Sequence, residues 1–159
     1  MKHFLSPLLL LLPFFHENGS IDVKRNFVGG VIQGKDYSYY ANGQLAREYV
    51  TKNGWNEGEY RTYYEDGQLA ETTGYLHGNY NGRNAEYYAD GTLKLEINYT
   101  NDQKNGTEVA YYPNGKKKKW EKVYFLDSLQ GWASFYKETG KLTRKEYYFN
   151  DYVEKVEQD

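Results

Sequence analysis

Four segments of this chain, YYANGQL (Tyr39–Leu45), YYEDGQL (Tyr63–Leu69), YYADGTL (Tyr87–Leu93) and YYPNGKK (Tyr111–Lys117), start 24 residues apart. A fixed period of this length means one supersecondary unit, copied and stacked on itself. Each tyrosine pair is preceded five positions earlier by a glycine: Gly34, Gly58, Gly82 and Gly106. A further step of 24 reaches FYKETGKL (Phe135–Leu142), read as a fifth copy with one extra turn residue. A step back from Tyr39 reaches FHENGSI (Phe15–Ile21), which matches in its aromatic, turn and apolar positions.

Each copy reads as a β-hairpin. Pro113 argues for the turn type, because its fixed φ suits the second position of a type I turn, with Asn114 next and Gly115 left-handed. This is the three-residue hairpin closed by a glycine bulge. It pairs Tyr39 with Leu45, Tyr63 with Leu69 and Tyr87 with Leu93. Simple alternation along the strands then puts Tyr87, Leu93, Leu95, Ile97 and Tyr99 on one apolar face, with Tyr37, Tyr39, Tyr63 and Tyr75 from other copies. Thr62, Thr72, Glu86, Lys94 and Glu96 fall on the opposite face. So do the second tyrosines, Tyr40, Tyr64, Tyr88, Tyr112 and Tyr136, spaced by roughly 10 Å.

Composition fits a sheet with little conventional core. The 159 residues include 19 Tyr and 16 Gly, and the mean hydropathy is −0.93. Tyrosine buries a ring while its hydroxyl stays wet, strands favour it, and turns favour glycine. The fold class is all-β, an elongated antiparallel meander of stacked 24-residue hairpins in a single sheet. The domain runs from 15 to 149, with a partial copy at 15–38 and copies starting near 39, 63, 87, 111 and 135. A hydrophobic segment, 1–14, precedes it and a polar tail, 150–159, follows it.

The stretch YYANGQLAREYVTKNGWNEGEYRTYYEDGQL resembles the variant MORN repeat of bacterial proteins, including those called YwqK-type antitoxins. The resemblance spans Phe15 to about Phe149. It implies a single sheet of stacked hairpins without catalytic residues, exported or surface-associated in many members. The antitoxin label implies a protein toxin as partner. Two departures bear on the regularity of the C-terminal part: Lys117 stands where leucine recurs, and YFLDSLQG replaces an Asn/Gly loop.

No motif of catalysis or cofactor binding survives inspection. GGVIQGKD (Gly29–Asp36) lacks the hydroxyl that a phosphate loop places after its lysine, and Asp36 in that position repels phosphate. His3, His16 and His77 share no metal-ligand spacing, and the chain has no cysteine. His16 occupies a tyrosine position of the repeat, which points to a ladder role. A net charge of −2 argues against a nucleic-acid partner. KKKKW (Lys116–Trp120) reads as a solvated strand face rather than a lipid-binding patch. No cofactor and no metal are expected.

The expected function is therefore binding, to another protein or to a cell-envelope component. The candidate partner-binding residues are Tyr40, Tyr64, Tyr88, Tyr112 and Tyr136. Their rows have two readings: exposed rings that take a partner, or cross-strand pairs that only stabilise the sheet. The start MKHFLSPLLLLLPFF is too short to span a bilayer. It reads either as a secretory segment, which places the protein outside the cytoplasm, or as the first strand of the opening hairpin in a cytoplasmic protein.

Overall fold

The computed structural model describes residues 9–113 and 116–158. Residues 1–8 of the hydrophobic start lie outside the described residues, as do Asn114 and Gly115 of the expected Pro113 turn. All the strands belong to one sheet. They are β1 Leu9–Phe15, β2 Ile21–Val28, β3 Val31–Ile32, β4 Gly34–Tyr39, β5 Leu45–Lys52, β6 Trp55–Asn56, β7 Gly58–Tyr63, β8 Leu69–Leu76 and β9 Asn79–Tyr80. The sheet continues with β10 Gly82–Tyr87, β11 Leu93–Thr100, β12 Gln103–Lys104, β13 Gly106–Tyr111, β14 Lys118–Phe125, β15 Ser128–Leu129, β16 Gly131–Tyr136, β17 Leu142–Phe149 and β18 Tyr152–Gln158. Pairing is antiparallel and follows chain order, so the architecture is the expected meander of hairpins.

The repeat glycines mark a break in each outgoing strand. Trp55–Asn56 pairs with the end of β5, and β7 resumes at Gly58 on the same partner strand. Gly58 has φ +77°, which an L side chain adopts only under strain.

The turn between Tyr64 and Gln68 is the three-residue hairpin. The Gly67 amide donates to the Tyr64 carbonyl at 2.9 Å and the Tyr64 amide to the Gln68 carbonyl at 2.8 Å. Equivalent bonds close the turns after His16, Tyr40, Tyr88 and Lys137. The expected pairs Tyr39–Leu45, Tyr63–Leu69 and Tyr87–Leu93 are all formed.

One step beyond each of these pairs the register shifts. Tyr63 pairs with Leu69 but Thr62 pairs with Glu71, so Ala70 is an extra residue. The same shift recurs before Tyr39, Tyr87, Tyr111 and Tyr136. An extra residue reverses the alternation along the rest of the strand. The single apolar face expected from alternation is therefore split. Tyr63 lies with Glu48, Arg61 and Thr72, while Tyr49, Tyr60, Tyr75, Ile97 and Tyr99 lie on the other side. Glu96, expected opposite Tyr63, is on the same face as it, and Leu95 and Leu93 part company. We call the two sides the Glu48 face and the Tyr49 face.

The fifth copy also needs correction. Tyr136 pairs with Leu142, and the Lys137 amide donates to the Lys141 carbonyl. Tyr136 is thus the counterpart of Tyr63, and Lys137 that of Tyr64. The extra residue sits in the fourth turn, where Tyr111 pairs with Lys118 and the Tyr112 amide reaches the Lys117 carbonyl. Gly131, five positions before Tyr136, carries the same displacement in the sequence.

At the two ends, the sheet takes in Leu9–Phe15, paired with β2, and Tyr152–Gln158, paired with β17. The YFLDSLQG segment keeps the regular path: Leu126 and Asp127 form a two-residue turn with φ of +49° and +70°. Among the described residues, the buried apolar side chains are Ala85, Ile97, Val109, Ala110 and Ala133. Thr72, Thr73, Ser134, Asp36 and Glu108 are buried alongside them. A single layer cannot enclose a thick core, so order comes from repeated polar and aromatic contacts between copies.

Candidate binding surface

The second tyrosines act as staples. The hydroxyl of Tyr40 donates to the carbonyl of Tyr63 at 2.7 Å, and Tyr64 to Tyr87 at 2.7 Å. Tyr88 donates to the Tyr111 carbonyl at 2.9 Å and Tyr112 to the Tyr136 carbonyl at 2.8 Å. His16 holds the Tyr39 carbonyl through Nε2 at 2.8 Å, so it performs the tyrosine's job in the opening copy. The amide groups of Asn18 and Asn42 add turn-to-turn bonds to Ala41 and Glu65 at 3.0 Å. Of the five candidate partner-binding tyrosines, Tyr40, Tyr64, Tyr88 and Tyr112 share one row and use their hydroxyl hydrogens within the sheet. Tyr136 belongs to the other series and supplies an acceptor.

The opposite margin has its own staples. Carboxylates of Asp102, Asp127 and Asp151 accept the amides of Tyr80, Lys104 and Leu129 at 2.7 Å, each from the preceding copy. The amides of these aspartates donate back to the carbonyls of the same three residues. Sequence reading missed these pairs, although the recurrence of acidic or amide residues in every return loop was the available signal.

On the Glu48 face, the first tyrosines bind carboxylates. Tyr63 donates to Glu48 at 2.7 Å and Tyr111 to Glu96 at 3.0 Å. Arg61 lies 3.1 Å from Glu48 and Arg83 2.9 Å from Glu96. The Tyr63 hydroxyl, with Arg61, holds the Glu48 carboxyl below its ordinary range against the opposing effect of burial. Burial, followed by the Glu48 carboxylate, pushes the Tyr63 phenol up.

The Tyr49 face carries a run of ring contacts across three copies. Tyr49 stacks on Tyr60 at 5.0 Å, Tyr60 meets Tyr75 at 6.0 Å, Tyr75 meets Tyr80 at 5.2 Å, and Tyr80 meets Tyr99 at 5.4 Å. Asp36 is wholly buried beside this run and is held by Arg25 at 2.5 Å. The glycine-rich segment before it forms a hairpin turn at Gly29 and Gly30, followed by β4, rather than a strand, loop and helix.

Along the return-loop margin of the Glu48 face, large apolar side chains stand in solvent. Val31, Trp55 and Leu76 are 48%, 63% and 41% exposed, and Phe125, Phe149 and Tyr152 are 60%, 56% and 75% exposed. Register puts all six on this one face, with Val28–Val31, Lys52–Trp55, Phe125–Ser128 and Phe149–Tyr152 as neighbouring pairs. Thr100 and Gln103 fill the same row in the middle of the sheet. Sequence reading missed this row, because the register shift decides which face it occupies.

The lysine run has an internal place. Lys118 pairs with Glu121 at 2.9 Å, and Lys119 and Lys122 lie 5.2 and 5.4 Å from the Trp120 ring centre. β14 is flanked by β13 and β16, so these lysines do not guard a sheet edge. Among the described residues, no group of three or more His, Asp or Glu side chains is placed to hold a metal ion. No helix among them is long and apolar enough to cross a membrane.

None of the curated proteins compared with this chain matches it. The family model described as MORN repeat variant matches residues 33–53, 56–77, 80–101 and 104–119, about half of the chain. The first three matches each span one hairpin up to its return turn, and the fourth ends two residues into β14. Repeats of this kind serve as binding and scaffold modules, and this chain belongs to the MORN repeat variant family.

Proposed function

We propose that this chain is a non-catalytic scaffold that docks a partner protein on the return-loop margin of its Glu48 face. The observation that carries this reading is the co-facial row of Val31, Trp55, Leu76, Phe125, Phe149 and Tyr152, left in water by a sheet that has no second layer. Apolar side chains gathered on one surface mark interaction sites. Aromatic anchors of this type carry a large share of binding energy at interfaces.

The partner is a protein or an envelope component met outside the cytoplasm. Lys2 followed by the apolar run to Phe15 supports that placement, while the pairing of Leu9–Phe15 with β2 supports the alternative of an uncleaved start in a cytoplasmic protein. An antitoxin that covers a protein toxin is the second reading, supported by the resemblance of the repeats and served by the same surface. The second-tyrosine row is a subsidiary contact. Its rings remain half-buried, and Tyr88 borders a small concavity with Leu95, Ala110 and Trp120.

The test is affinity capture from the native cells with the wild type and with a Phe125→Ser, Phe149→Ser, Tyr152→Ser variant. A partner retained by the first and lost by the folded variant supports the docking face. Equal capture by both sinks it. Fractionation with mass analysis of the native N-terminus separates the exported from the cytoplasmic reading.

A further inference from the structure

The Tyr49 face contains a recess of about 150 Å³ lined by Glu71, Tyr80, Asn84, Glu86, Ile97 and Tyr99, with Leu95 at its border. Three observations converge on the chemistry it takes. Its walls include the Tyr80 and Tyr99 rings, 5.4 Å apart and tilted by 49°, the last two members of the tyrosine run. Its lining includes two carboxylates and no cationic side chain; Lys104, paired across from Tyr99 on the same face, is held by Glu108 at 2.7 Å. Glu71 is exposed and bonded through Oε1 to the Thr73 hydroxyl at 2.9 Å, and Glu86 is met from outside the recess by Lys94 at 2.8 Å. Asn84 spends its carbonyl oxygen on the Gly74 amide at 3.0 Å, which fixes the floor.

Tilted phenol faces attract a cation through their quadrupole, and a nearby carboxylate adds direct attraction. An anion would meet Glu71 and Glu86. The volume is below the roughly 300–1,000 Å³ of small-molecule and cofactor pockets, so the recess suits the head of one side chain.

We infer that this recess is a binding subsite for a lysine or arginine side chain presented by the partner protein. It deepens the scaffold reading and rests on it. The exposed apolar margin supplies area on the Glu48 face, and a segment of the partner that wraps the return-loop edge beside Tyr80 and Tyr99 brings its charge to this subsite on the other face. Glu71 provides the carboxylate, Tyr80 and Tyr99 the ring faces, and Glu86 a second carboxylate once Lys94 yields.

The test uses small probes on the full chain, followed by amide and tyrosine-ring NMR shifts. The probes are N-acetyl-lysine amide, its arginine and norleucine counterparts, and tetramethylammonium. The expected result is saturable binding in the millimolar range by the lysine or arginine probe, with shifts centred on Tyr80, Asn84, Ile97 and Tyr99, and none with norleucine. Glu71→Gln weakens it about fivefold, and Tyr80→Ala about tenfold, with the circular dichroism spectrum unchanged.

Equal shifts with norleucine, or cation-induced shifts elsewhere on the sheet, overturn the proposal. Clear preference for tetramethylammonium overturns it in favour of a small quaternary ammonium ligand. The Phe125, Phe149, Tyr152 variant reports on the scaffold reading separately, because it leaves the recess intact. Probe binding that fails while capture still depends on that variant refutes the subsite alone.

Discussion

His16 Nε2 lies 2.8 Å from the carbonyl oxygen of Tyr39, in the place where the Tyr40 hydroxyl reaches Tyr63 one copy later. A carbonyl only accepts, so Nε2 carries the hydrogen. His16→Ala is expected to lower stability by about 1 kcal/mol, the usual worth of one such bond. His16→Tyr is expected to restore it. Urea denaturation of the three proteins checks this, and an Ala variant as stable as wild type would show that the bond contributes nothing.

The tyrosine staples separate hydroxyl from ring. Tyr64→Phe removes only the bond to Tyr87 and is expected to cost about 1 kcal/mol. Tyr40, Tyr64 and Tyr88 changed together to Ser lose three half-buried rings as well, and unfolding of the N-terminal copies is expected. Hydrogen exchange of β4 to β10 reads the difference. A triple Ser variant that keeps full protection there would return these residues to a purely external role.

Leu126 has φ +49° in the turn before β15, where other return turns use Asn53-Gly54 and Asn101-Asp102. Asparagine tolerates the left-handed region and leucine does not. Leu126 is 44% exposed, so little burial is lost on replacing it. Leu126→Asn is expected to raise stability by about 1 kcal/mol. A lower melting temperature would show that the leucine side chain matters more than its backbone.

Gly74 has no positive φ, yet a Cβ there would stand 2.2 Å from the Asn81 carbonyl oxygen. The obstacle is backbone, so Gly74→Ala is expected to cost at least about 2 kcal/mol and to disrupt the pairing of β8 with β10. Val50 and Asn98, each 24 residues away, hold the same place in their copies. The constraint is therefore local to this copy. Thermal melts decide it, and an Ala variant within 0.5 kcal/mol of wild type, roughly the range of a neutral surface change, would remove the clash from consideration.

Alkali should unfold this protein. Burial, the largest cause in each case, pushes up the phenols of Tyr49, Tyr63, Tyr75, Tyr99, Tyr111, Tyr124 and Tyr148. A phenol raised in the fold contributes stability that is complete below the ordinary tyrosine value of about 10 and lost as pH rises above it. Glu48, held low by Tyr63, contributes in the opposite sense: its share is present above the ordinary carboxyl value of about 4.3 and lost as pH falls below it. Tyrosinate absorbance and circular dichroism, followed together from pH 8 to 12, are expected to change in one transition. Full ionisation of a folded sheet near pH 10 would contradict this.

The 24-residue period was enough to determine a stacked-hairpin sheet, its turns, and the pairs Tyr39–Leu45, Tyr63–Leu69 and Tyr87–Leu93. Local chemistry specifies these features: glycine at a left-handed turn position and an aromatic–aliphatic pair beside it. His16 was legible as a tyrosine substitute for the same reason, since register alone assigns its role. Which face each side chain occupies was not legible. That depends on Ala70 and its counterparts Ala46, Lys94, Lys119 and Thr143, single residues displaced from the pairing, and these residue types share no mark that they sit in a bulge. The place of Tyr136 depended likewise on which turn accommodated one extra residue. Only the paired sheet, in which every later side chain answers to each displacement before it, decided that the apolar margin and the tyrosine recess lie on opposite faces.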